Sequence, residues 1–95
     1  MAEKASLDAS TERERLFEDP TLVRLPLDAG ESIPPHCHPD ETIVCYVARG
    51  NLDVGLDGET HRVEAGELLR FDGGREITVK AVEDSLALLV LVDGT

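Results

Sequence analysis

The chain has 95 residues, 41 % of them apolar, with 20 Asp plus Glu against 9 Lys plus Arg and a formal net charge of −11. That length suits one domain burying roughly 60 to 70 % of the surface its unfolded chain exposes, and the apolar fraction excludes a disordered chain despite the charge. The acidic balance excludes nucleic-acid and anionic-membrane partners, and no apolar run approaches the length of a bilayer span or signal peptide, so a soluble, cytoplasmic protein is expected. Acidic residues are spread along the whole length, and only Lys4 and Lys80 represent lysine. This describes a uniformly acidic shell like that of halophilic proteins, in which salt screens the self-repulsion.

In chain order, residues 1–10 read as a disordered tail and 11–95 as a single domain. Thr11 with Glu14 fits a capping box that would start one helical turn, although Arg15-Leu16-Phe17 reads equally well as an edge strand ending at Pro20. From there turn signals recur every eight to twelve residues, at Asp28-Ala29-Gly30, Gly50-Asn51, Asp57-Gly58, Ala65-Gly66 and Asp72-Gly73-Gly74, which is an all-β cadence. Strands are expected over residues 22–27, 32–36, 42–48, 52–56, 60–63, 67–71, 77–81 and 86–92. Asp57-Gly58 is a two-residue loop with the chemistry of a type I′ hairpin. Residues 86–92 are apolar without alternation, so this strand should be covered on both faces, by the core and by a second sheet or subunit. A homodimer follows as an expectation.

The segment Pro34-Pro35-His36-Cys37-His38-Pro39 carries the strongest chemical signal. Histidines one residue apart on an extended strand point to the same side, where their imidazoles can meet one divalent ion, and the prolines keep the segment out of helix. Two ligands fall short of the three that zinc sites need. Cys37 alternates away from the imidazoles and reads as a partly buried small apolar residue; with Cys45 it makes two reduced thiols rather than a disulfide. No glycine-rich phosphate loop opens a helix and no nucleophile elbow occurs.

Gly30, five residues, His36-Cys37-His38 and an extended segment closing at Gly50 resemble the first motif of the cupin superfamily, G-x5-H-x-H-x3,4-E-x6-G. Gly58, five residues, then Glu64-Ala65-Gly66 echo its second motif. The resemblance spans about residues 22–92 and implies a small double-stranded β-barrel of jelly-roll type, which the turn cadence also suggests. It further implies a cavity binding a small-molecule ligand, with a divalent ion (Zn, Ni, Fe or Mn) at His36 and His38. The family's carboxylate position falls on Thr42; Glu41 stands one residue earlier and should face the other way unless a bulge intervenes. The family's last histidine falls on Ile77, which cannot bind a metal. Asp72 and Gly73 stand for loop prolines, which predicts a more flexible barrel mouth.

A His36, His38 and Glu41 triad would suit a metal-dependent oxygenase or isomerase, and a barrel with its cavity filled would be a non-catalytic structural or partner-binding domain. Tyr46 shares a face with Thr42 and Val44 and is expected inside the barrel, where its hydroxyl can orient a ligand or bond backbone. With Ile77, Thr42 and Tyr46 make the expected ligand-binding set. His61 reads as packing or surface, and Arg75 as half of a solvated salt bridge.

The charge generates one expectation directly. The Debye length falls from about 10 Å at 0.1 M to about 3 Å at 1 M salt, so thermal stability should rise as potassium chloride is added. Superimposable melts at low and high potassium chloride would remove the high-salt reading; sulfate is unsuitable for the test because it stabilises any protein by exclusion.

Overall fold

A computed structural model describes residues 2–93; Met1 of the expected tail and residues 94–95 of the expected domain lie outside it. Nine strands follow one another: β1 (Glu14–Glu18), β2 (Thr21–Leu27), β3 (Ser32–His36), β4 (Glu41–Arg49), β5 (Asn51–Leu56), β6 (Glu59–Glu64), β7 (Leu68–Asp72), β8 (Ile77–Ala81) and β9 (Ser85–Asp93). All pairings are antiparallel. They form a five-stranded sheet ordered β1-β2-β9-β4-β7 and a four-stranded sheet ordered β3-β8-β5-β6. Only β1–β2 and β5–β6 are joined within one sheet; every other connection crosses between sheets, the winding of a jelly roll. The fold is therefore the all-β double-stranded barrel that the turn cadence implied, and no helix forms among the described residues.

Each expected strand from residue 22 onward is present, with ends that differ by no more than one residue. At the β5–β6 hairpin Asp57 and Gly58 both have positive φ, 51° and 87°, as the type I′ turn requires. The capping box at Thr11 and Glu14 does not form. Glu14 lies in β1, and its carboxylate accepts a 2.8 Å hydrogen bond from Arg24.

Arg24 is 2 % exposed, so each of its donors must find an acceptor or leave a buried charge unsatisfied. Beyond Glu14 it donates to the carbonyls of Ser6 at 2.8 Å and Leu7 at 3.1 Å, and to that of Glu12. Residues 6 to 12, mostly within the segment expected to be a disordered tail, thus supply the carbonyls that cover this guanidinium.

The core lies between the two sheets. The larger sheet contributes Leu25, Leu27, Ile43, Cys45, Val47, Phe71 and Ala87, and the smaller one Leu52, Val54, Leu56, Val63, Ile77, Val79 and Ala81. On β9 only alternate residues point inward: Ala87, Leu89 and Leu91 stand opposite Val47, Cys45 and Ile43. Leu88, Val90 and Val92 face the other way. On the rim of the smaller sheet, Arg62 forks onto Asp53 with contacts of 2.6 and 3.2 Å. That hydrogen bonding holds the Asp53 carboxyl below the usual aspartate range.

Gly50 makes the sharp step from β4 to β5 with φ 84°. A Cβ there would collide with the Ser85 hydroxyl and with the backbone at Asp84 and Ser85, so this crossing requires glycine both for its conformation and for the space.

Candidate functional site

The histidine pair reaches the interior through an irregularity in β3. Ile33 stands opposite Val79 and His36 opposite Ile77, so three steps along β3 match two along β8. The extra residue falls within Pro34-Pro35, whose nitrogens cannot donate to a ladder, on a strand at the edge of its sheet where proline is tolerated. Strict alternation would have placed His36 opposite in facing to Ile33. The bulge restores it to the inner face, and His38, two residues on, follows.

The two imidazoles stand edge to face, with centroids 5.0 Å apart. His36 Nδ1 lies 2.9 Å from the Pro34 carbonyl; donating its proton there leaves the Nε2 lone pair free. His38 Nδ1 is 3.7 Å from Glu41 Oε1, too long for a hydrogen bond and an ion pair only when the ring is protonated.

The turn between His38 and Glu41 is tightly held. Pro39 takes its second position and Asp40 the third with φ 65°, the arrangement of a type II turn, closed by Glu41 N–H to the His38 carbonyl at 3.3 Å. Gly73 then clamps it: His38 N–H donates to the Gly73 carbonyl at 2.7 Å, and Gly73 N–H donates to the Glu41 carbonyl at 2.8 Å. A Cβ on Gly73 would stand 2.9 Å from the Glu41 carbonyl oxygen and nearer still to that of His38. The Asp72-Gly73 segment that stands for the loop prolines thus makes two backbone hydrogen bonds to the facing turn. It lets the backbone of one loop dock onto the other.

Behind the histidines lies a cavity of about 40 Å3, walled by Leu25, Ile33, Ile43, Leu52, Phe71, Ile77 and Leu89 among others, with Cys45 also on its wall. Ile77, 2 % exposed, shares this cavity with both histidines, as the position of the family's last histidine should. Burial pushes the Cys45 thiol up to about 11, so with no ion beside it this is a neutral thiol at physiological pH.

Thr42 and Tyr46 are corrected by the structure. The inward face of β4 is Ile43, Cys45 and Val47, so Thr42, Val44 and Tyr46 point outward, away from the cavity. Residues 42–48 are apolar on both faces, and such a run contains no signal fixing which face is the core. Glu41, by the same alternation, falls on the side of Ile43 without a bulge; the register of β4 against β9 is unbroken from Glu41 to Val47. Even so its carboxylate lies outside the cavity, lining with Thr42, Arg70 and Asp72 an open surface groove of about 630 Å3. Cys37 is exposed rather than partly buried. His61 ends 3.7 Å from Glu59, away from the cavity, and Arg75 pairs with Asp57 at 3.1 Å.

A divalent ion at this place would find two imidazoles, the Cys45 thiol on the cavity wall and otherwise hydrocarbon. Among the described residues no group of three or more His, Cys, Asp or Glu side chains is arranged to hold a metal ion, and the third position of a facial site is an isoleucine. These residues do not fit a three-ligand metal centre. Phe71 and Cys45 are the parts of the site that sequence reasoning passed over, because both depend on strand phase; Gly73 was read as standing for a loop proline at the mouth, without its contacts to the His38–Glu41 turn.

A jelly roll with two histidines at its mouth, one ending an edge strand and one just beyond it, over an apolar interior, defines the class of molecule. The cupin domain family matches residues 23–93, and the chain belongs to that family. Among solved structures it is similar to the conserved protein SPY1581 of unknown function from Streptococcus pyogenes, at 30 % identity over 77 % of this chain with a TM-score of 0.71. This chain spans 63 % of the length of that protein. It is also similar to KdgF from Halomonas sp., at 26 % identity over 85 % of this chain and 76 % of that one, TM-score 0.77. An RmlC-like cupin from Desulfovibrio desulfuricans shares 21 % identity over 98 % of this chain and 97 % of its own, with a TM-score of 0.84. No curated protein matches.

The docked loops give a measurable consequence. Gly73→Ala should destabilise the protein by about 1–3 kcal/mol, the usual range for forcing atoms into an occupied space, and should shift the His38 ring resonances. Gly74→Ala, whose Cβ would meet only the Asp72 carboxylate at 3.3 Å, should do neither to a comparable degree. Equal denaturation midpoints for the two variants would contradict the clamp.

Proposed function

We propose that this cupin domain is a binding protein for a small, largely apolar molecule carrying one hydrogen-bonding group, and not a metal-dependent enzyme. The observation that carries this reading is the composition of the cavity: His36 and His38 are its polar lining groups at the mouth, and the wall behind them is hydrocarbon plus the neutral thiol of Cys45. Free Nε2 on His36 can accept a hydrogen bond from a ligand hydroxyl or N–H, while the apolar wall takes the ligand's body. At about 40 Å3, and with one water needing about 10–15 Å3, the space admits only a few heavy atoms. The ligand must therefore be small or must insert a substituent while the remainder rests at the mouth. Any divalent ion held by the two imidazoles alone would be weakly bound and exchangeable.

The same small volume favours a second reading, a barrel whose interior is simply filled and whose role lies on its outside. Ligand-observed and protein-observed NMR with short-chain alcohols separates the two. Saturable shifts at His36, His38 and Ile77 support binding; their absence leaves the filled barrel.

The ligand set can be tested by supplying what the site lacks. Ile77→His adds a third imidazole beside two already placed and should raise zinc affinity by on the order of 100-fold. Calorimetric titration of both proteins is the check. Unchanged affinity would mean that the Ile77 side chain does not share the histidines' space, and a wild-type protein that already binds zinc tightly would overturn the binding-protein reading.

A further inference from the structure

Resting on the binding reading above, we infer that the molecule this cavity takes is a short-chain primary amine, bound as its ammonium ion with the alkyl group inward, and that Glu41 selects it. What the mouth offers a ligand is acceptors. With Nδ1 of His36 donating to the Pro34 carbonyl at 2.9 Å, Nε2 of that ring has a lone pair and no proton. His38 Nδ1 stands 3.7 Å from Glu41 Oε1, beyond hydrogen-bond reach. The carboxylate still favours the tautomer with its proton on Nδ1, which leaves a second lone pair on Nε2. The Glu41 carboxylate is itself an acceptor.

Strand register sets Glu41 at the rim of the cavity. On the inner face of the larger sheet Leu69, Cys45 and Leu89 form one row, Phe71, Ile43 and Leu91 the next, and Glu41 opposite Asp93 the one after it. Cys45, Leu89, Phe71, Ile43 and Leu91 wall the cavity, so the first charged groups of this face stand just beyond its last apolar row. Phe71 lines both the cavity and the groove that holds Glu41. A ligand lying across this boundary keeps its charge beside the part-exposed carboxylate and its hydrocarbon inside, and no unpaired charge is buried.

Donor count and charge then choose among polar heads. A hydroxyl has one proton to give, whereas a primary ammonium has three and can donate to His36 Nε2 and to Glu41 together. Hydrogen bonds from a charged donor are roughly twice as strong as neutral ones. A primary amine carries its proton at neutral pH, as the lysine side chain does. The groove adds Asp40 and Asp72 against the guanidinium of Arg70, which disfavours a carboxylate or phosphate at the same place. The cavity of about 40 Å3 limits the alkyl group to a few carbons.

Probes of one chain length test this on the wild-type chain: 1-propanol, n-propylamine and propyltrimethylammonium, titrated at neutral pH in about 0.15 M potassium chloride, where the Debye length is about 8 Å, with protein chemical shifts as the readout. The amine should bind about tenfold more tightly than the alcohol and should shift His36, His38, Ile77 and Glu41. The quaternary ion has the amine's charge without its N–H groups, so general attraction to a chain of net charge −11 acts on both alike; it should bind no better than the alcohol. Glu41→Gln should lower the amine's affinity by about tenfold. Glu64→Gln makes the same change of charge at a residue lining neither cavity nor groove, and should lower it by no more than about twofold because of screening. Should Glu41→Gln fail to fold, the comparison of amine with quaternary ion decides alone. An amine no tighter than propanol, a quaternary ion that gains as much, or an amine indifferent to Glu41→Gln overturns the inference, while propanol shifts at the cavity residues leave the binding reading standing. If neither propanol nor the amine moves His36, His38 or Ile77, both fall together.

Discussion

Everything at the mouth of this barrel depends on the phase of strand alternation. In a strand the side chains change face at every residue, so a one-residue offset exchanges the whole inner set for the outer one. The bulge at Pro34-Pro35 is such an offset, made on purpose by two residues that cannot donate to the ladder. It turns His36 onto the face of Ile33, carries His38 with it, and brings both rings against Ile77. Without it the same sequence would present its histidines to solvent and bury Pro35 or Cys37. The β4 strand has no offset over Glu41 to Val47, and this is why Cys45 rather than Tyr46 reaches the cavity.

The loops around that cavity are ordered by backbone contacts. Two hydrogen bonds join Gly73 to the His38–Glu41 turn, and this close approach is possible because position 73 has no side chain. The result is a mouth in which the imidazoles stand together while the groups that would convert them into a metal centre are missing or displaced. Glu41 approaches His38 from outside, and the third position is occupied by hydrocarbon. Such an arrangement keeps the geometry of a metal-binding family but leaves chemistry suited to accepting a hydrogen bond.

Much of this was legible in the sequence, and the reasons differ by element. Strand positions from residue 22 onward could be read because turns in this chain use glycine and aspartate at nearly every crossing, and turn chemistry is local. The placement of Ile77 beside the histidines was accessible through the family's motif spacing. The faces of Thr42 and Tyr46 were not, because residues 42–48 are apolar on both sides and only tertiary packing selects the core face. Glu14 illustrates the same limit: its local sequence favours a helix cap, yet a buried arginine ten residues away claims its carboxylate. The docking of Gly73 is a contact between distant loops and leaves no trace in composition.

If the two histidines are a polar rim on an apolar cavity, the protein should not retain a metal ion through purification. Elemental analysis of untagged protein after dialysis is the direct measurement. A total of zinc, nickel, iron and manganese well below one equivalent per chain is expected, because two imidazoles alone form an exchangeable contact. A full equivalent of one metal surviving dialysis would mean that a third ligand reaches the site, and the assignment of a non-metal binding cavity would be wrong.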